Sequence, residues 1–126
     1  MSFYKQILHS SSEAIIAADT EGTVTFWNRA AERIYGWRCE EALGKSILDL
    51  VAPGKFSEEG IHVPGMLRAG KDWKGECFCR AKDGRKFFAH ISLSPLYDDS
   101  GGIRGGVAVM RDITNRENAE TTLAEV

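Results

Sequence analysis

The stretch from residue 73 to residue 114 decides the fold, because it contains three consecutive candidate strands. They are WKGECFCRA (73–81), KFFAHISLSPLY (86–97) and GIRGGVAVMRDIT (102–114). Asp83-Gly84 separates the first two, and this dipeptide is favoured where both central residues of a turn need positive φ. A glycine-rich loop at 98–102 separates the second strand from the third. The pattern predicts an antiparallel three-stranded meander.

The second and third strands show how the meander is covered. One face of the second strand is wholly apolar and carries Phe87, Ala89, Ile91 and Leu93. The third strand is apolar on both faces, with Val107 and Val109 on one and Ala108 and Met110 on the other. A strand that is apolar on both sides is usually covered on both. We therefore expect the residues before 73 to cover one face and the chain ends to cover the other.

The chain before residue 73 reads as short elements. Residues 13–19 and 23–27 predict two strands around a turn ending at Gly22, which suits positive φ. Asn28 is a good N-cap for the helix RAAERIYG, and Gly36 is a suitable residue to end it.

Less regular segments complete the pattern. A loop containing Cys39 and a short turn precede a brief apolar helix at 47–51. Residues 54–70 form a helix only if it begins just before Pro64. Thr114-Asn115-Arg116-Glu117 matches the capping-box pattern, which predicts a helix from the end of the last strand.

Together these elements predict an α+β fold, with a five-stranded antiparallel sheet, short helices on one face and flanking N- and C-terminal helices. The predicted parts are a cap helix at 1–9, a domain at 10–114 and the start of a C-terminal helix at 115–126. The N-terminal stripe Phe3, Tyr4, Ile7 and Leu8 needs a covering surface. Outward-facing residues of the sheet offer one, and we favour a homodimer over an intramolecular lid.

Composition excludes several function classes. The 126 residues are 43% hydrophobic and 27% charged with a net charge of −2, which argues against a nucleic-acid partner. No apolar run approaches the ~20 residues that cross a bilayer, so we expect no membrane contact by this domain. Three cysteines at irregular spacing suit a reducing compartment, which predicts a cytoplasmic protein. The chain has no G-x-S-x-G elbow, H-E-x-x-H motif or phosphate loop, which predicts a domain that is not itself an enzyme.

The order and spacing of five segments resemble a PAS sensory domain. The segments are AIIAADTEGTVTFWN (14–28), NRAAERIYGW (28–37), EEALGKSILDLV (40–51), WKGE (73–76) and RAKDGRKFFAHISLSPLYDDSGGIRGGVAVMRDIT (80–114). The resemblance implies a signal-transduction module that encloses a small ligand cavity and dimerises through flanking helices. It also implies a relay through Asp112, Ile113 and Thr114 into a C-terminal effector, often a histidine kinase of a two-component system or a cyclic-nucleotide enzyme.

Seven residues are candidates for the cavity wall on this basis. They are Met66, Leu67, Trp73, Cys79, Ala89, Ile91 and Met110. The alternatives are a haem- or FAD-bearing redox or gas sensor and a ligand-free dimerisation module.

Neither cofactor is required by the residues present. In flavin photoreceptors of the family, amide side chains bind the flavin; here the matching positions are Cys79, Ala89 and Met110, and no reactive-cysteine motif occurs. Trp73-Lys74-Gly75 resembles non-photochemical FAD binders, but the pattern is widespread in PAS domains. Haem needs an axial ligand, for which His62 is the candidate. Cys77 and Cys79 lack converging partners, so we expect no metal site.

Overall fold

A five-stranded antiparallel sheet with short helices against one face is the architecture of the computed structural model, which describes residues 3–51 and 70–113. In chain order the elements are α1 (Phe3–Ser10), β1 (Ala14–Asp19), β2 (Val24–Trp27), α2 (Arg29–Tyr35), α3 (Cys39–Ala42), α4 (Ile47–Val51), β3 (Trp73–Arg80), β4 (Lys86–Tyr97) and β5 (Ile103–Asp112). The α+β prediction is confirmed. The predicted helices near Pro64 and at 115–126 lie outside the described residues.

The sheet order is β2-β1-β5-β4-β3, which makes β5 the central strand. β5 pairs with β1, where Ala108 lies opposite Ile16, and with β4, where Ala108 lies opposite Leu93. Ala108 and Met110 are buried against the helices, whereas Val107 and Val109 lie half-buried on the opposite face, called the outer face below. The central position of β5 explains why its sequence is apolar on both sides.

The hairpin between β3 and β4 differs from the prediction. Gly84 has a φ of +93°, but no described residue other than glycine has positive φ, so Asp83 does not. The Gly84 amide donates to the Ala81 carbonyl over 3.0 Å, and the Ala81 amide donates to the Arg85 carbonyl over 2.9 Å. The loop therefore has three residues rather than two. In such a loop only the last residue needs the left-handed region.

Asn28 joins three elements at the edge of the helical layer. As predicted, it is the N-cap of α2, where its Oδ1 accepts from the Ala31 amide over 2.9 Å. The same oxygen accepts from the Ile15 amide over 3.0 Å. Its Nδ2 donates to the carbonyls of Leu8 and Glu13 over 2.9 and 3.0 Å. This fully buried amide therefore ties the end of α1 and the start of β1 to α2.

The main core lies between the sheet and α2–α4. The Tyr35 ring lies at its centre, with ring centroids 5.8 Å from Trp27 and 5.4 Å from Phe87. Cys39 was expected in a loop, but it is the first residue of α3. The helix begins there because the Arg38 amide donates to Glu41 Oε1 over 3.0 Å. The Cys39 amide in turn donates to Glu32 Oε2 over 2.8 Å, which ties α3 to α2.

The helix α1 contributes no buried residue to this core. Phe3 and Tyr4 are 71% and 78% exposed, and Ile7 is half exposed. The described residues thus leave most of the predicted N-terminal apolar stripe uncovered within one chain. Among the same residues, none of the helices has the length and apolar character needed to cross a bilayer.

Candidate functional site

A small cavity lies between α4 and the inner face of the sheet. Its volume is about 30 Å³. The described side chains that line it are all apolar: Ile47, Leu48, Val51, Trp73, Ile91, Leu93, Ala108 and Met110. Because successive side chains of a strand point to opposite faces, β4 and β5 each contribute alternate residues to this wall. The short helix α4 provides the facing wall, and Trp73 closes the side at the edge strand β3.

Trp73 holds its place because residue 75 has no side chain. A Cβ built on Gly75 would lie 2.7 Å from Cζ2 and 2.9 Å from Cη2 of the Trp73 indole. Such distances are shorter than real Cβ contacts, so the ring lies directly over the glycine. Gly75 therefore lets the indole lie along its own strand at the mouth of the cavity.

The Met110 thioether connects the cavity wall to the buried core. The Tyr35 hydroxyl donates to Met110 Sδ over 2.7 Å and lies 3.7 Å from Cys79 Sγ. All three residues are buried. A molecule that displaced the Met110 side chain from the cavity wall would therefore disturb a hydrogen bond of a buried tyrosine, and buried polar groups that lose partners are costly.

Comparison with known proteins places this architecture in a family. A family model described as PAS fold matches residues 2–113. The chain belongs to the PAS family. Its relatives include Sensor protein FixL of Bradyrhizobium diazoefficiens, which is 26% identical over 97% of this chain. Probable diguanylate cyclase DgcE of Escherichia coli is 31% identical over 85% of this chain.

Solved structures show the same PAS fold. The crystal structure of a PAS domain from Colwellia psychrerythraea matches with a TM-score of 0.79 and 26% identity, covering 89% of this chain and 95% of that one. An RNA-binding light-oxygen-voltage receptor matches with a TM-score of 0.80 at 23% identity, covering 98% of this chain and 36% of that one. The chain spans 25% of FixL and 10% of DgcE, so these curated relatives are much longer proteins.

The structure brings three of the predicted cavity residues together and separates two others. Trp73, Ile91 and Met110 line the cavity of this PAS domain. Cys79 and Ala89 are buried on the same side of the sheet but are not among the described residues that line this cavity. The other candidates, Met66 and Leu67, together with the haem ligand candidate His62, lie outside the described residues.

Sequence reasoning missed five of the lining residues. They are Ile47, Leu48, Val51, Leu93 and Ala108. Two sequence patterns could have predicted them. Leu93 and Ala108 alternate in phase with Ile91 and Met110, and residues 47–51 form a mostly apolar segment. None of the described lining side chains is an amide or a histidine, but Trp73 of the Trp-x-Gly pattern and the Met110 thioether are both part of the wall.

The end of β5 is held by contacts to two other elements of the PAS domain. Asp112 Oδ2 pairs with Arg85 Nη1 over 3.4 Å, and Arg85 Nη2 donates to the Ile34 carbonyl over 2.9 Å. The Ile113 amide donates to the Phe88 carbonyl over 3.0 Å, and Ile113 is buried. The ion pair is partly exposed and adds little stability, but it sets the position of the strand end relative to α2. Thr114 lies outside the described residues.

Two titratable groups near the helices have shifted pKa values. Burial, reinforced by the carboxylates of Glu32 and Glu40, raises the pKa of the Cys39 thiol, which keeps it protonated and weakly nucleophilic at neutral pH. Lys82 lies 2.6 Å from Glu41, and this hydrogen bond holds the pKa of Glu41 below its ordinary value. Within residues 3–51 and 70–113, no three histidine, cysteine or acidic side chains are grouped so as to hold a metal ion.

Proposed function

We propose that this chain is the sensory module of a larger signalling protein, in which a small ligand in the cavity changes the position of the end of β5. The observation that carries the proposal is the course of β5 itself. Ala108 and Met110 form part of the cavity wall, and Asp112 and Ile113 follow directly at the strand end. A paired strand moves as a unit, so displacement at the wall reaches the strand end.

The contacts at the strand end determine what such a displacement changes. Arg85 joins Asp112 to the C-terminal turn of α2, and the Tyr35 hydroxyl joins α2 to Met110. Strand β5 is thus tied to α2 both at the cavity and at its end. A ligand that moves Met110 changes its hydrogen bond with Tyr35 but leaves the Arg85 contacts at the strand end in place. This difference changes the direction in which the chain leaves the domain. The predicted C-terminal helix would receive this shift.

The signalling output of the whole protein belongs to the same proposal. FixL and the sensor histidine kinase TmoS of Ectopseudomonas mendocina carry sensor names, and DgcE is named as a probable cyclase. The chain matches only part of each. We propose that the chain senses and relays without catalysing, that it acts in the cytoplasm, and that a kinase or a cyclic-nucleotide enzyme supplies the output.

Filling the cavity is expected to mimic a bound ligand. Ala108→Val adds two methyl groups at the wall, at a cost below about 1.5 kcal/mol if the cavity accepts them. The expected result is a displacement of the backbone amide resonances of Asp112 and Ile113 in heteronuclear NMR spectra of the 126-residue chain. The change has no ligand requirement, so it tests the relay alone.

Val107→Thr is the matched control, since it lies on the same strand but on the outer face. It is expected to leave the Asp112 and Ile113 resonances much less affected than Ala108→Val. If both variants shift these resonances equally, or neither does, the relay is rejected. In that case a persisting dimer would favour the ligand-free dimerisation module.

Two apolar surfaces among the described residues support a homodimer as part of the proposed function. One surface is the α1 stripe, in which Phe3, Tyr4 and Ile7 are exposed. The other is the outer face, where the Phe78 and Phe88 rings lie with centroids 3.9 Å apart at one end, and the half-buried Val107 and Val109 lie further along the sheet. Both surfaces belong to the same chain. In a two-fold symmetric dimer, the α1 stripe of one copy can therefore pack against the α1 stripe or the outer face of the other copy.

Ile7→Glu is expected to weaken the dimer by about tenfold or more, because it places an unpaired charge in the apolar contact. Gln6→Glu adds the same charge to an exposed polar position of α1 and serves as the control. Sedimentation equilibrium of the 126-residue chain measures both. A wild-type chain that stays monomeric at high concentration would reject the homodimer, and equal effects of the two variants would reject the role of the stripe.

A further inference from the structure

The chemistry of the cavity wall restricts what the cavity can hold. All eight lining side chains among the described residues are apolar. A ligand group that buries a hydrogen-bonding atom there would lose its bonds to water without replacement, at a cost of about 1–3 kcal/mol for each group. The described part of the wall therefore favours an occupant with no polar atoms on the part that contacts it.

The volume of the cavity restricts the occupant further. At about 30 Å³ it is far smaller than the engineered apolar cavity of about 150 Å³ that binds benzene. A hydrocarbon group enters only if a lining side chain moves. The strand residues on β4 and β5 are held within paired ladders, and α4 packs its buried residues into the core.

Trp73 is the lining residue that lies at the edge of the sheet. It is the first residue of the edge strand β3 and is only half-buried, whereas the lining residues of β4 and β5 are buried. Its indole rests on Gly75, so no side chain at residue 75 obstructs its rotation along the strand. The indole is also larger than a benzene ring, so the space it leaves is sufficient for one.

We infer that the cavity takes a compact hydrocarbon group, such as a monocyclic aromatic ring, and that Trp73 sets the upper limit of its size by turning away from Gly75 to admit it. This inference rests on the proposed sensory function and names its ligand class. The ligand then replaces the indole beside Met110, which places it next to the thioether bonded by Tyr35. Trp73 is in this sense a residue that determines ligand specificity.

Benzene is the test ligand, followed by NMR titration of the 126-residue chain, with the Met110 methyl group as the reporter. Trp73→Ala is expected to bind benzene about tenfold or more tightly than the wild-type chain, with contacts from benzene protons to the Met110 methyl group. Phenol, which adds one hydroxyl group, is expected to bind the variant about tenfold more weakly than benzene. Trp73→Leu gives the same comparison if the alanine variant does not fold.

Trp37→Ala is the matched control, because Trp37 is also half-buried against the core but does not line the cavity. It is expected to lower stability without increasing benzene binding. The inference is overturned if folded Trp73 variants bind benzene no more tightly than the wild-type chain, or if phenol binds as well as benzene. If the benzene test fails but Ala108→Val still shifts the Asp112 and Ile113 resonances, the ligand class is rejected and the sensory function is kept. Benzene binding with no response to Ala108→Val would instead reject the relay and keep the ligand class.

Discussion

Replacing Asn28 with alanine is expected to lower the free energy of unfolding by about 3–4 kcal/mol. Asn28 is 0% exposed, and its side chain makes four hydrogen bonds to backbone groups. Alanine removes every one of them. It leaves the amides of Ile15 and Ala31 and the carbonyls of Leu8 and Glu13 to find other partners. Loss of the N-cap of α2 alone accounts for about 1 kcal/mol of this cost.

The loss is also expected to be felt in α1, whose Leu8 carbonyl accepts one of these bonds. Chemical denaturation measures the stability change, and amide hydrogen exchange measures the loosening of α1. Thr25→Ala is a suitable control, because Thr25 is exposed on the neighbouring strand and its change should stay within about 0.5 kcal/mol. A loss below about 1 kcal/mol for Asn28→Ala would contradict the role given to the four bonds.

Gly105→Ala is expected to cost about 3 kcal/mol or more, or to prevent folding altogether. Gly105 pairs with Asp19 in the ladder between β1 and β5. A Cβ at this position would lie 2.1 Å from the Ala18 carbonyl oxygen and 3.0 Å from the Asp19 Cα. These are backbone atoms of a paired strand, so they cannot turn aside as a flexible side chain can. The two strands must separate locally, at the centre of the sheet.

Gly102→Ala is the matched control for added size. A Cβ there would lie 3.2 Å from the Asp98 Oδ2, which belongs to an exposed side chain that can shift. We expect this variant to lose about 1 kcal/mol or less. Thermal and chemical unfolding of the two variants provide the comparison. A Gly105→Ala protein as stable as Gly102→Ala would show that β1 and β5 are not packed as closely as described.

Most of the sheet could be predicted because its signals are local. The alternation through Phe87, Ala89, Ile91 and Leu93 places these residues on one face whatever lies opposite them. Asn28 and Gly36 mark the ends of α2 because capping depends on residues within one turn. The hairpin at Asp83-Gly84 was harder, since a difference of one residue in loop length changes which residue needs positive φ.

The cavity could be predicted only in part. Cys79 and Ala89 have the same inward orientation as Ile91 and Met110, yet they are not among the described residues that line this cavity. A sheet face is longer than a cavity, and the position of α4 along that face decides which inward residues line it. The alternation of residues within the strands does not indicate where α4 lies along the sheet.

The sequence by itself determined the strands, their faces, the caps of α2 and the membership of the PAS family. The strands, their faces and the caps depend on residue types at short, regular spacing, whereas the family resemblance depends on the order of segments along the chain. Only the tertiary structure decided that Gly105 must lack a side chain, that Tyr35 donates to Met110, and that Trp73 rests on Gly75 beside a cavity whose described lining is apolar. Gly105 with Ala18 and Tyr35 with Met110 join residues far apart in the chain, and the Trp73 rotamer depends on the walls around it, so these contacts exist only once the strands and helices have packed.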